Sequence, residues 1–236
     1  MIEIKNVTKK YGDKVAIKDI TFNVNDGDLF AFIGHNGAGK TTLIKAIVGI
    51  HDFDEGDILI NGKSIKEDSI CCKKLIAYVP DNPETYEYMK AIDYINFICD
   101  MYEIDEETRQ KNIKKYAAMF DMQDKLNDSI DSYSHGMKQK IVLISALAHD
   151  PEILIMDEPF VGLDPKAVFD IKEVLNEMIK AGKTVIYSTH ILDVAEKICT
   201  RVAIIKNGKL IKSGSMKEIK GDKSLEKVFL ELEEKQ

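Results

Sequence analysis

Eight consecutive residues, Gly34-His35-Asn36-Gly37-Ala38-Gly39-Lys40-Thr41, carry the most specific chemistry in the chain. Two glycines separated by four residues and followed by Lys and Thr fit a phosphate-binding loop. Glycine lets the backbone curl until successive N–H groups point at phosphate oxygens. Lys40 would bring positive charge to the β- and γ-phosphates of a nucleotide, and the Thr41 hydroxyl is placed to ligate Mg²⁺. Thr42, next in line, is grouped with the nucleotide contacts. A second element is Ile153-Leu154-Ile155-Met156-Asp157-Glu158, four apolar residues ending in two carboxylates. Beside a phosphate loop, the first carboxylate suits Mg²⁺ held through its water shell. The second can accept a proton from an attacking water.

Such groups need a scaffold that brings them together. Alternating strand and helix patterns predict an α/β fold with a largely parallel sheet. Strands are expected at 2–7, 21–24, 29–33, 58–60, 75–79, 153–156, 184–189 and 202–205. The strand at 29–33 feeds the phosphate loop, and a helix over 41–48 follows, its positive end aimed at the anion. Asn61-Gly62 and Asn207-Gly208 sit between apolar runs and predict tight hairpins, so some antiparallel pairing should flank the parallel core.

The stretch 83–150 lacks strand patterning and reads as a helical insertion dividing an α/β core at 1–82 and 151–220. Ile113, Tyr116, Ala117 and Phe120 mark one helical face, and Met137, Ile141, Ile144 and Ala148 another. A later helix has Asp164 as N-cap, Pro165 at its first position and Gly182 past its end. Its apolar face is Val168, Ile171, Leu175, Met178 and Ile179. The Lys/Glu-rich tail 221–236 reads as a solvated terminal helix. The whole of 1–236 is taken as one domain with these parts.

Composition narrows the class. With 33 basic against 40 acidic residues, the net charge of −7 argues against nucleic acid as a principal partner. Apolar runs such as Leu29–Ile33 fall far short of the ~18 residues that cross a bilayer. The alternating start, Met1-Ile2-Glu3-Ile4-Lys5, lacks the features of a signal peptide. Cys71, Cys72, Cys99 and Cys199 fit neither a zinc site nor a disulfide framework and are read as reduced thiols, mostly packing residues. A phosphate loop alone leaves GTPases, kinases and helicases open, although no Asn-Lys-x-Asp guanine-reading motif is present.

Residues between the two motifs decide among these. Tyr133-Ser134-His135-Gly136-Met137, followed by Lys138-Gln139-Lys140, resembles the signature Leu-Ser-Gly-Gly-Gln of ABC transporter ATPase subunits. Ser134 offers a hydroxyl and Gly136 a close-approaching N–H at a helix start, a second anion site in a chain that already has one. The resemblance resolves this duplication. It implies that two subunits pair head to tail, with Ser134, His135 and Gly136 capping the γ-phosphate bound by the other subunit. It covers about 1–220 and implies further roles in order. Tyr11, before Gly12, would stack on adenine. Gly162-Leu163-Asp164 would touch the partner subunit. His190 would contact the γ-phosphate.

Some positions depart from the family pattern. Where it carries Gln, Tyr78-Val79-Pro80 leads into Asp81. An ionised Asp only accepts hydrogen bonds and adds charge near Mg²⁺, so Asp81 suits metal sensing better than water positioning. His135 and Met137 replace the signature's first Gly and final Gln. Together with the run at 78–87, these variants are most similar to ATPase subunits of bacterial exporters of drugs, bacteriocins or polysaccharides.

The resemblance implies a Mg²⁺-dependent ATP hydrolase with Glu158, His190 and Lys40 as catalytic groups and Thr41, Asp157 and Asp81 at the metal. It would lie at the cytoplasmic face of the membrane and drive a separate transmembrane permease. The permease would dock near 81–101, where Tyr86, Tyr88, Met89, Tyr94 and Phe97 are either a docking patch or internal core. The rival readings are an ABC-type ATPase acting without transport, regulatory or nucleic-acid-associated, and a module that binds ATP without turnover. Glu158 and His190 argue against the last.

Overall fold

The computed structural model describes residues 1–83 and 85–234. Glu84, within the 78–87 run, and the last two residues of the C-terminal tail lie outside them. The first two strands run further than their patterning suggests: β1 is Ile2–Tyr11 and β2 is Lys14–Val24. The alternation is hidden because Asn6 and Asp19 adopt left-handed φ of 51° and 52°, where register shifts interrupt the ladder. The Asn6 side-chain amide donates to Asp19 Oδ1 at 2.8 Å and locks this irregularity.

Next come β3 (Leu29–Ile33), α1 (Lys40–Ile47), β4 (Glu55–Ile60), β5 (Lys63–Ser64), α2 (Ser69–Lys74) and β6 (Ile76–Val79). Three longer helices follow: α3 (Ala91–Met101), α4 (Glu106–Met119) and α5 (His135–Ala148). The chain then alternates through β7 (Ile153–Met156), α6 (Pro165–Lys180), β8 (Thr184–Thr189), α7 (Leu192–Ile198) and β9 (Arg201–Lys206). It ends with β10 (Lys209–Ser215), α8 (Met216–Lys220) and α9 (Leu225–Glu234).

Two sheets result. A six-stranded sheet has the order β10-β9-β3-β8-β7-β6 and is parallel except for the β9–β10 hairpin. A four-stranded antiparallel sheet, β2-β1-β4-β5, lies beside it. Both Asn-Gly pairs form the expected hairpins, with positive φ at both residues, as a type I′ turn requires. The parallel strands are buried on both faces, and side-chain alternation feeds two cores. Ala31, Leu154 and Tyr187 point into the core shared with the helices of 83–150. Phe30, Phe32, Ile155 and Ile186 join the core under α1 and the antiparallel sheet. Tyr94, Ile95, Ile113 and Phe120 belong to the first of these, so the helical stretch packs directly on the sheet.

Three features position the site. Asp164 caps α6 by accepting from Ala167 N at 2.9 Å, with Pro165 as its first residue. Ser134 caps α5 through Met137 N at 3.4 Å, and residues 141–148 of that helix are all buried. The C-terminal tail departs from expectation. Leu225, Val228 and Phe229 of α9 are buried, so the helix is docked rather than solvated. Their three- and four-residue spacing is an apolar stripe hidden within a Lys/Glu-rich composition.

The C-terminal end of α5 is clamped by His149, whose ring stacks on Tyr102 with centroids 3.8 Å apart and planes 7° from parallel. The Tyr102 hydroxyl donates to Ile76 O of the edge strand at 3.0 Å. Burial lowers the His149 imidazole from 6.5 to about 4. A depressed histidine pKa means that the unfolded chain binds the proton more readily. Stability is therefore complete above pH ~6.5 and falls as the pH drops toward ~4, by up to about 3 kcal/mol. Urea unfolding of the wild type should weaken steadily between pH 7 and 5. His149→Phe, which keeps a stacking ring and loses the ionisable nitrogen, should flatten the profile over that interval.

Candidate functional site

Three parallel strands deliver the chemistry to one edge of the sheet. Ile33 of β3 pairs with Thr189 of β8, and Met156 of β7 pairs with Tyr187. Gly34 consequently emerges beside His190 and Asp157 beside Ser188 at the same edge, as expected of ligand sites at the carboxyl ends of parallel strands. Gly34 has no room for a side chain, since a Cβ there would meet Ile205 O at 2.3 Å. At φ 107° Gly39 turns the loop into α1, and a Cβ would meet Ile17 Cγ2 at 2.8 Å. No side chain caps α1, so its first-turn N–H groups remain available to an anion.

Lys40 is 5% exposed and folded back on its own loop. Its ammonium donates to Gly34 O at 2.7 Å and His35 O at 3.3 Å, and it pairs with Glu158 Oε1 at 3.2 Å. The other Glu158 oxygen meets His190 Nδ1 at 3.0 Å and accepts from His190 N at 3.3 Å. Glu158 holds a left-handed φ of 47°, an uncommon conformation for a non-glycine residue. Its own N–H donates to Ser188 Oγ at 3.0 Å, while that hydroxyl donates to Asp157 Oδ1. Asp157, 1% exposed, sits beneath the loop with its N–H donating to Val79 O at 2.9 Å.

A cleft of about 660 Å³ is lined by Tyr11, His35, Asn36, Gly37, Gly39, Lys40, Thr41, Thr42, Asp81 and Glu158. Gly34 and Ala38 are buried behind it. Tyr11, 46% exposed, has a T-shaped contact to His51 with centroids 6.0 Å apart. Partial burial raises the Asp81 carboxyl above its ordinary range, followed by the charges of Asp157 and Glu158. His135 opens instead on a separate cleft of about 390 Å³ with Tyr133 and Lys138. The structure thus gathers the phosphate loop, Glu158, Asp81 and Tyr11 around one cleft, ties His190 to it through Glu158 and Asp157 through Ser188, and leaves Ser134, His135 and Gly136 outside.

Several residues of the site escaped the sequence analysis. Ser188 bridges the carboxylate pair, and among the hydroxyl residues of its strand nothing in the sequence singles it out. Lys14, Val15, Asn207 and Gly208 also line the cleft. Gly208 reaches it because Gly208 N donates to Ala38 O at 2.9 Å, a contact with no local sequence signal. Buried Lys40, the uncapped start of α1 and the oxygen donors Thr41 and Asp157 fit a triphosphate with a hard divalent cation.

These groups agree with a direct comparison. The ABC transporter family pattern matches residues 17–161. The chain belongs to the ABC transporter family. EcsA, an ABC-type transporter ATP-binding protein of Bacillus subtilis, is 33% identical over 237 residues, covering 98% of this chain and 96% of its own. The linearmycin resistance ATP-binding protein LnrL of the same organism is 34% identical over 219 residues, 93% of this chain and 70% of its own. Among solved structures, an ATP-binding subunit of an ABC transporter superposes with a TM-score of 0.95 at 32% identity, covering 99% of both chains. A dimeric ATP-binding cassette in a post-hydrolysis state with ADP and phosphate gives 0.83 at 25% identity, covering 92% of this chain and 99% of its own. The protein is an ABC transporter ATP-binding subunit with the mixed α/β cassette fold. Among the described residues no helix is long and apolar enough to cross a membrane.

Ser188 is 0% exposed and serves two partners at once. Ser188→Ala should leave the Glu158 N–H and the buried Asp157 carboxylate each short of a partner. The expected cost is about 1–3 kcal/mol in urea unfolding. An unchanged midpoint would show that water replaces the hydroxyl without loss.

Proposed function

We propose that this subunit binds MgATP in the cleft over the phosphate loop and hydrolyses it to power a transport cycle. The observation that carries this reading is the continuous chain Lys40–Glu158–His190 at the mouth of the loop. Lys40 would exchange Glu158 for the phosphate oxygens, freeing that carboxylate to accept a proton from water. His190 would keep Glu158 oriented through its Nδ1 contact and meet the γ-phosphate. Thr41 and Asp157 would hold Mg²⁺, with Asp81 near it, and the ion would neutralise charge on the β- and γ-phosphates. Tyr11 would stack on the base.

Because Ser134, His135 and Gly136 lie outside the cleft, they fit the capping of a nucleotide held by a second subunit, another copy or a homologue. The dimeric state of the structural neighbour supports this pairing. A transmembrane permease is the partner we expect, with the protein at the cytoplasmic face and 83–150 moving as a helical unit against the core. Tyr86, Tyr88, Phe97 and Met101 are exposed and suit docking, whereas Tyr94 is buried and serves the core. The named resistance function of LnrL favours export over import. No nucleic acid is expected.

Glu158→Gln tests the arrangement. It keeps the shape, removes the basic carboxylate and releases Lys40 from its ion pair. ATP should bind at least as well, while turnover falls by about 10²–10⁴. The variant should accumulate as an ATP-bound dimer on size exclusion, and adding Ser134→Arg should return it to monomer. Normal turnover in Glu158→Gln would overturn the base assignment. A monomer in ATP, repeated with the homologous partner present, would overturn the shared site.

A further inference from the structure

The C-terminal helix touches both α7 and the phosphate loop. At its start, Leu225 N donates to Glu196 Oε2 of α7 at 2.8 Å, and Lys220 donates to Glu196 Oε1 at 2.6 Å. One carboxylate therefore ties α9 and the end of α8 to α7, the helix that begins two residues after His190. Ser224 accepts from Lys227 N at 3.2 Å and completes the first turn. Leu225 and Val228 anchor this helix in the main core. One turn further on, Phe229 is 6% exposed and meets the His35 ring edge to face, with centroids 5.1 Å apart and planes at 71°.

His35 is exposed, sits in the first turn of the phosphate loop and lines the cleft. Its carbonyl accepts from Ala38 N at 3.1 Å and from Lys40 at 3.3 Å. A ring that fixes the His35 side chain thereby restricts the backbone that shapes the loop. We propose that Phe229 is a positioning residue for ATP binding, acting through His35. In this arrangement α9 is a brace that keeps the loop ready for phosphate. The inference rests on the cleft being the ATP site. An edge-to-face aromatic pair orients its members as well as burying them, so loss of the ring should loosen the loop even where the core stays filled.

The test is a double-mutant cycle in the full chain, with Phe229→Leu, His35→Ala and both together, reading the MgATP dissociation constant by calorimetry and thermal midpoints in parallel. Phe229→Leu keeps an apolar side chain in the core and should weaken ATP binding about two- to tenfold. In steady-state hydrolysis the change should fall on KM more than on kcat. In the His35→Ala background the same substitution should have little further effect on binding. If Phe229→Leu weakens binding equally in both backgrounds, or leaves it unchanged, Phe229 serves packing alone and the proposal fails. If Phe229→Leu does not fold, Phe229→Met takes its place in the cycle under the same criteria. Failure of the wild type to bind MgATP would instead overturn the reading of the cleft.

Discussion

Parallel pairing of β3, β7 and β8 is the constraint on which the site rests. Strands that run the same way all finish at one edge of the sheet, so whatever follows each of them is brought into line. Here the followers are the phosphate loop, the Asp157-Glu158 pair and His190. The register sets their mutual heights: with Met156 opposite Tyr187, the next residues are Asp157 and Ser188, whose side chains bond directly. Lys40 and Glu158, more than a hundred positions apart, likewise meet without any local signal that they should.

Burial then decides how those groups behave. Lys40 and Asp157 are nearly inaccessible, and isolated charges in such places are costly. Lys40 is satisfied by two carbonyl groups and Glu158, while Asp157 is satisfied by Ser188. The ion pair joins Lys40 to Glu158 Oε1 at 3.2 Å. Its members have side-chain exposures of only 6% and 12%, so screening by solvent is weak. A polyanion can displace the carboxylate without leaving Lys40 uncompensated.

Much of this was legible in the sequence, for reasons that differ by element. β3, β7 and β8 were readable to the residue because both faces of each are buried, β3 and β7 being unbroken apolar runs and β8 being rich in β-branched and aromatic residues. The helix after Asp164-Pro165 and the two Asn-Gly hairpins follow from local backbone preferences that tertiary structure had no reason to override. β1 and β2 were shortened in the reading because Asn6 and Asp19 break the two-residue period. The α9 stripe was obscured by composition, since Lys and Glu on one face masked Leu225, Val228 and Phe229 on the other. Ser188 and Gly208 could not be placed in the site by inspection, because their roles depend on strand register and on a hairpin folding back over the loop.

The order of strands also bears on how the protein comes into being. β3 lies between β8 and β9, whose residues follow it by more than 150 positions. As the chain emerges from the ribosome, the phosphate-loop strand is among the first pieces available and among the last to find its neighbours. One of its edges stays unpaired until residues 184–189 have been made and the other until residues 201–206, a long wait for an apolar strand with exposed N–H and C=O groups. The antiparallel sheet of β1, β2 and β4 is complete far earlier and covers one face of β3 through Phe22, Phe30 and Phe32. That early cluster would shelter the nascent strand from aggregation while synthesis of the remainder proceeds.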